Sequence, residues 1–269
     1  MDADAAPLDA AALAALLERQ GFAVLRAAVP AAALAELRLE CDTLRELAKV
    51  PGAAWGADAA RSCVFETLPP PTAAAARASR AAYAAARGAW PLRPAARDAL
   101  LSGELARLAL ELLGPDTVLF NDQYVVKEAR SGAAGEFAWH RDSAAVRASP
   151  GYRPFLSFWV SLEEAEVDEA GGCLLARPGS HERGALSGAP AAATPSGRID
   201  AAGGGCGGSL AVPLRVSAGD LVIMADVLHA SGPNGGAFAR RAWMPQFASG
   251  PVRDARGALL ALAVPLRGA

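Results

Sequence analysis

Residues 137–143 read FAWHRDS and place a histidine and an aspartate two positions apart. This stretch ends a run that reads as extended. In an extended chain alternate side chains point the same way, so His140 and Asp142 are predicted to share a face while Arg141 points away. The stretch therefore predicts one imidazole and one carboxylate converging on a point at the edge of a β-structure.

A second histidine completes this pattern 89 positions later. Residues 221–236 read LVIMADVLHASGPNGG, which predicts a short apolar strand, then His229, then a turn-rich exit. Two histidines and one carboxylate are the ligand set of the facial triad of non-haem Fe(II), which leaves three coordination positions open. Arg240, 11 positions beyond His229, adds a fork suited to the distal carboxylate of a 2-oxo acid.

The period of the apolar residues changes at Gly114. Before it, steps of three and four predict helices, with a short strand at 22–25; after it, short β-branched or aromatic runs predict strands. Many short strands favour a sandwich or jelly roll over βαβ units. We expect one domain over residues 1–269, with 1–114 mostly helical and 115–269 forming the β core. The first predicted helix begins near Asp9, and the other predicted helices span 30–47, 73–87 and 100–112. The predicted strands of the core are 117–127, 155–162, 173–176, 210–216, 221–224 and 240–247.

Composition excludes several classes of protein. The 26 Lys+Arg balance 28 Asp+Glu, for a formal net charge of −2, so nucleic acid is a poor partner. An apolar stretch of about 18 residues and a basic, apolar leader are both missing, so we expect a cytoplasmic protein without membrane contact. The four cysteines are far apart in sequence, so we expect buried or unreactive thiols and no zinc or redox motif.

Longer motifs carry a family resemblance. The chain resembles the phytanoyl-CoA dioxygenase family of Fe(II)/2-oxoglutarate oxygenases over most of its length. The stretches that carry the resemblance are GFAVL at 21–25 before a Pro-initiated helix, WHRD at 139–142, WVSLE at 159–163, GGCL at 171–174, RPGSH at 177–181, GDL at 219–221 and HASGPN at 229–234 with its trailing arginine pair.

The resemblance implies an α+β fold with a mainly β core, a double-stranded β-helix (jelly roll, cupin-like) buttressed by N-terminal helices. It implies Fe(II), 2-oxoglutarate and O₂ as cofactor and co-substrates. The implied iron ligands are His140, Asp142 and His229, and the implied 2-oxoglutarate contacts are Gln123, Trp159 and Arg240. Because Arg240 and Arg241 are adjacent, only one can face inward, and the family spacing favours Arg240. His181, in the PGSH turn, is expected to be a structural residue.

The expected activity is hydroxylation of an aliphatic C–H of a small-molecule metabolite, with release of succinate and CO₂. Desaturation or cyclisation stays open, and halogenation is disfavoured because halogenating relatives lack the carboxylate that Asp142 supplies. Two alternatives remain: a 2-oxoglutarate-independent cupin-type metal enzyme, and a catalytically silent ligand-binding protein on the same fold. The substrate and the oligomeric state are left open, and the loop at 184–209 is a candidate lid.

Overall fold

The computed structural model describes residues 10–50, 63–89, 98–99, 101, 103–181 and 210–267. The α-helices with described bounds are α1 (Ala10–Gln20), α2 (Ala31–Ala48), α3 (Pro70–Ala76), α4 (Arg80–Ala89) and α5 (Glu104–Leu113), and two short 3₁₀ helices span Gly132–Gly135 and Asp142–Ala145. The strands are β1 (Phe22–Leu25), β2 (Val64–Glu66), β3 (Val118–Lys127), β4 (Phe137–His140), β5 (Phe155–Ser161), β6 (Leu174–Ala176), β7 (Val212–Leu214), β8 (Leu221–Met224), β9 (His229–Ser231), β10 (Arg240–Ala248) and β11 (Val264–Pro265). The expected helix start at Asp9 and the candidate lid at 184–209 lie outside the described residues.

Two antiparallel sheets form the β core. The larger has the order β1-β8-β5-β10-β3-β11, with β2 also paired to β3, and the smaller has the order β4-β9-β6-β7. The non-consecutive neighbours mean that the chain crosses between the sheets repeatedly, as in a double-stranded β-helix. The predicted jelly roll with helices against it is confirmed. That residues 1–269 form one domain stays a prediction.

Alternation along the strands divides the apolar residues between two layers. In β5, Phe158 and Val160 face the helices and pack with the leucines of α1, α2 and α5. Trp159, between them, faces the other way and packs with residues of the smaller sheet such as Leu174. The larger sheet therefore has a helix-covered outer face and an inner face turned towards the smaller sheet.

Local structure differs from the sequence prediction in three places. The helix expected over 73–87 is two helices, because the Ser79 hydroxyl accepts a hydrogen bond from the backbone N–H of Ala82 and caps α4. Of the helix expected over 100–112, residues 104–112 belong to α5, which has Gly103 as its N-cap. Strands β2, β9 and β11, which are three, three and two residues long, were not predicted. No helix in the described ranges is long and apolar enough to cross a membrane.

A buried ionic network fastens the helices to the outer face. Arg87 of α4 lies 2.6 Å from a carboxylate oxygen of Glu40 in α2 and 2.8 Å from one of Asp122 in β3. All three side chains are essentially unexposed. Further donors complete the carboxylates: Tyr124 to Glu40, and Thr67, Tyr83 and Trp243 to Asp122. Because the charged members compensate one another, losing one of them leaves the others uncompensated.

We predict that Arg87→Met lowers the free energy of unfolding by about 3–5 kcal/mol, because two buried carboxylates lose their cation. Arg107→Met is the matched control, since Arg107 forms an exposed pair with Glu104 within α5 and should change stability by less than about 1 kcal/mol. Urea denaturation followed by circular dichroism measures both. Equal stability of the two variants would contradict the role given to Arg87.

Candidate metal centre

Pairing of two strands in the smaller sheet brings the two histidines together. His140, the last residue of β4, is directly opposite His229, the first residue of β9. Their ring centroids are 4.2 Å apart. Nδ1 of His140 lies 2.7 Å from the carbonyl oxygen of Ala138, and Nδ1 of His229 lies 2.9 Å from that of Val227. Because Nδ1–H donates to these carbonyls, the lone pair of each ring is on Nε2, the atom available to a metal.

Asp142 joins the histidines from the adjoining turn. Arg141 is extended, and Asp142 is the first residue of a 3₁₀ helix over Asp142–Ala145. Asp142 Oδ1 lies 3.7 Å from Nε2 of His140 and 3.5 Å from Nε2 of His229. Two ligand atoms that are each about 2.1 Å from one ion can be up to about 4.2 Å apart, so both pairs suit a shared ion. The predicted convergence of His140, Asp142 and His229 is present, with one ligand atom from each within 4.8 Å of the others.

A carboxylate in the turn before β9 holds the Asp142 segment in place. Asp226 accepts hydrogen bonds from the backbone N–H (3.0 Å) and the hydroxyl (2.7 Å) of Ser143. It also pairs with Arg147 at 3.0 Å, and its carbonyl accepts from Arg141 at 2.6 Å. Asp226 is three residues before His229, so the same turn positions both the carboxylate ligand and the second histidine.

The three donors open into a cavity of about 150 Å³ between the two sheets. This is an order of magnitude more than one water molecule requires. Its wall is mainly apolar, and burial together with the neighbouring His229 lowers the pKa of His140. The imidazole is therefore neutral, and able to bind a metal, at neutral pH. The lining residues are Val64, Gln123, Val125, Phe137, His140, Asp142, Trp159, Leu174, Met224, His229, Ser231, Arg240 and Met244.

The two adjacent arginines have opposite surroundings. Arg241 points to the outer face, where it binds Glu163 at 2.9 Å and Asp42 at 2.8 Å. Arg240 lines the cavity, is 3% exposed and lies with its guanidinium carbon 5.1 Å from the ring centroid of Trp159. Its Nε and Nη1 are buried without a hydrogen-bond partner among the described residues. Burial lowers the pKa of Arg240 to about 10, so it stays a cation near neutral pH.

Gln123 and Trp159, the other two residues expected near the co-substrate, also line the cavity. Gln123 accepts a hydrogen bond from Asn121 at 2.9 Å. Ser231 lines the cavity as well, although sequence reasoning missed it. The signal was present, because residues two apart in a strand share a face and Ser231 is two positions after His229.

Lys127 lies behind Ser231 and is fully buried. Its Nζ donates to the hydroxyl of Ser231 at 2.6 Å, to the carbonyl of Ser231 at 3.0 Å and to the carbonyl of Gly232. It is also directly opposite Arg240 in the β3–β10 pairing. Burial, with a contribution from Arg240, lowers the pKa of Lys127 to about 7. Sequence reasoning left this lysine outside the site, yet it holds the strand end that carries His229 and Ser231.

His181 is not part of the cluster. It is buried against the C-terminal end of α1, where Nε2 lies 3.0 Å from the carbonyl oxygen of Glu18 and the ring occupies the space that a Cβ on Gly21 would need. The expectation of a structural role for this residue agrees with its surroundings. Among the described residues, His140, Asp142 and His229 are the one group of three potential ligand residues close enough to share an ion.

An antiparallel jelly roll with two histidines, one carboxylate and a buried arginine in a single cavity has the architecture of the non-haem iron oxygenases that use a 2-oxo acid. Comparison of the sequence with family models gives a match to phytanoyl-CoA dioxygenase (PhyH) over residues 17–242. The chain therefore belongs to the phytanoyl-CoA dioxygenase family. The enzymes of this family depend on Fe(II), 2-oxoglutarate and O₂, and the donor set and the partnerless arginine fit these groups.

Solved structures show the same fold at low sequence identity. AviO1 from Streptomyces viridochromogenes Tue57 is 24% identical with a TM-score of 0.59, and the match covers 90% of this chain and 95% of that one. The epimerase SnoN of nogalamycin biosynthesis, in complex with Fe³⁺, α-ketoglutarate and nogalamycin RO, is 22% identical with a TM-score of 0.59 over 97% of both chains. The carbocyclase SnoK of the same biosynthesis is 18% identical with a TM-score of 0.59, over 96% and 93%. Comparison with curated protein sequences gives no match.

We predict a pH signature for the buried lysine. The folded protein releases the Lys127 proton at a pH of about 7 and the unfolded chain near 10.5, so the unfolded state binds more protons between these values. This group therefore makes stability rise with pH across that window. In Lys127→Met the rise should be smaller than in the wild type, as measured by urea denaturation at several pH values. Parallel pH curves for the two proteins would contradict the lowered pKa.

Proposed function

We propose that this protein is an Fe(II)/2-oxoglutarate-dependent dioxygenase that hydroxylates an aliphatic C–H of a small-molecule metabolite and releases succinate and CO₂. The observation that carries the proposal is Arg240, a buried cation in the same cavity as the three metal donors, whose Nε and Nη1 have no hydrogen-bond partner among the described residues. A buried charge is unfavourable unless it is paired. The arginine is thus suited to an anion that enters the cavity beside the metal.

His140, Asp142 and His229 are proposed to hold the metal through their Nε2 and carboxylate atoms. When bound, Fe(II) supplies the activation of O₂, in which 2-oxoglutarate is oxidised to succinate and CO₂ while one oxygen atom enters the substrate C–H. The protein fixes three ligand atoms on one side and leaves the other positions open. Asp142 also weighs against halogenation, since it occupies the place that a halide would need.

The far end of 2-oxoglutarate is proposed to bind Arg240. The guanidinium fork suits a carboxylate, and Lys127 donates to Ser231, which leaves the hydroxyl proton of Ser231 free to point to the same anion. The Trp159 ring lies against the guanidinium, whose carbon is 5.1 Å from the ring centroid. Gln123 faces the same cavity and completes the polar contacts available to the co-substrate.

The remaining wall is suited to excluding water from the reacting C–H. Val125, Phe137, Leu174, Met224 and Met244 surround the donors with apolar surface. The proposed binding partner is a small-molecule substrate, and neither nucleic acid nor a membrane is given a role. The proposed location of the enzyme is the cytoplasm. Hydroxylation is proposed as the outcome, with desaturation and cyclisation as variations that the same donor set permits.

The decisive experiment measures oxygen-dependent formation of succinate from 2-oxoglutarate by the purified, Fe(II)-loaded protein. We predict that Arg240→Met raises the 2-oxoglutarate concentration needed for half-maximal succinate formation by at least about 10-fold, since a bidentate charged contact is lost. Co(II) binding should be unchanged, because Arg240 does not touch the metal donors. Arg241→Met is the matched control, because that arginine pairs with Glu163 and Asp42 outside the cavity.

Other results would favour the alternatives. Turnover of a substrate that is indifferent to Arg240→Met would indicate a 2-oxoglutarate-independent, cupin-type metal enzyme. No succinate under any condition, with a folded protein that binds metal weakly, would indicate a catalytically silent ligand-binding protein.

A separate prediction concerns the metal donors. Asp142→Ala should reduce Co(II) affinity by at least about 10-fold and abolish succinate formation, since a charged ligand is removed. His181→Ala should leave one Co(II) bound per chain, because His181 lies away from the cluster. Isothermal titration calorimetry of the two variants against the wild type measures this. Loss of the bound metal in His181→Ala alone would overturn the assignment.

A further inference from the structure

The two carboxylate oxygens of Asp142 have different surroundings. Oδ1 is the atom that faces Nε2 of both histidines. Oδ2 accepts a hydrogen bond from the hydroxyl of Ser157, at 2.5 Å. Ser157 belongs to β5 of the larger sheet, whereas the histidines belong to the smaller one, so this contact joins the two sheets at the metal centre.

Ser157 is itself held by a second buried residue. Gln246 in β10 is directly opposite Ser157, and its Nε2 lies 2.8 Å from the Ser157 hydroxyl oxygen. The direction of both hydrogen bonds is fixed by chemistry. An ionised carboxylate only accepts, so the single hydroxyl proton of Ser157 goes to Asp142 and the amide of Gln246 must donate. Both side chains are buried, with exposures of 1% and 6%.

Occupation of Oδ2 matters because the number of open metal positions depends on it. An octahedral ion with three protein ligand atoms has three positions left, which 2-oxoglutarate and O₂ would fill as two and one. A carboxylate that bound through both oxygens would take a fourth position and leave none for O₂. A hydroxyl that donates to Oδ2 satisfies that oxygen and opposes its turn towards the metal.

We infer that Ser157 and Gln246 are positioning residues that hold Asp142 as a one-oxygen ligand of the metal. The inference rests on the proposed function for the identity of the ion, but the contacts are those of the protein alone. It also explains why a serine and a glutamine are buried on an inner face that includes the apolar residues Trp159, Ala242 and Met244.

The test is a Co(II) titration of the full-length protein, followed by its visible absorption spectrum and by calorimetry. Ser157→Ala is expected to weaken Co(II) binding by roughly 10- to 100-fold and to change the spectrum, which reports ligand number and geometry. Ser157→Thr, which keeps the hydroxyl, should restore both. Gln246→Glu is the sharper variant, because a carboxylate at that position accepts the Ser157 proton and draws it away from Asp142 without removing an atom from the wall. It should shift the spectrum in the same direction as Ser157→Ala.

Ser161→Ala is the matched control. Ser161 is four residues along the same strand on the same face, is fully buried, and its hydroxyl has no hydrogen-bond partner among the described residues. It should leave the affinity and the spectrum unchanged. If Ser157→Ala fails to fold, as judged by circular dichroism, a comparison of the Co(II) affinity and spectrum of Gln246→Glu with those of Gln246→Met still tests the inference. Wild-type affinity and spectrum in Ser157→Ala or Gln246→Glu would overturn the inference and leave the proposed function standing, whereas a wild type that binds no Co(II) would overturn the proposed metal centre.

Discussion

The pairing of His140 with His229 across β4 and β9 is the constraint on which the site depends. The two residues are far apart in sequence, and only this register puts their rings side by side. The third donor, Asp142, lies in the helical turn after β4. Asp226, in the turn before β9, holds that helical turn in place through its hydrogen bonds to Ser143. The relative positions of the three donors therefore follow from one strand pair and one clamped turn, with the rest of the jelly roll as support.

The two faces of the larger sheet treat buried charge in opposite ways. On the outer face Arg87 lies between two carboxylates, so its positive charge is compensated within the protein. On the inner face, among the described residues, neither Arg240 nor Lys127 has a carboxylate within ion-pair distance. Lys127 binds neutral oxygens, and its pKa falls as a result of burial. The Arg240 end of the cavity therefore carries a positive charge without a carboxylate partner among the described residues, and the complement of this charge is an anion.

The sequence was informative wherever the information is local. The closeness of His140 to Asp142 and the alternation that separates Arg240 from Arg241 were predicted from the period of an extended chain, and the structure shows both. Residues 229–231, by contrast, were expected to open a turn-rich exit, but they form β9. Asp226, Ser157 and Gln246 could not be predicted, because their roles depend on which strands become neighbours. The short strands β2 and β11 were missed for the same reason, since two or three residues carry too little periodicity. Ser79, by contrast, is a recognisable helix cap that the longer helical pattern concealed.

A single rule distinguishes the metal donors from the other polar atoms around them. In each donor the atom that faces away from the common point is already satisfied: Nδ1 of both histidines by a carbonyl of their own strand segment, and Oδ2 of Asp142 by a hydroxyl. The atoms left over all face one place, so the geometry exists before any ion enters and little ordering remains to oppose binding. Arg240 also presents unsatisfied polar atoms to the cavity, but these atoms are donors suited to an anion and not ligands for a metal. Its Nε and Nη1 have no answering group among the described residues, which leaves them available to a bound anion.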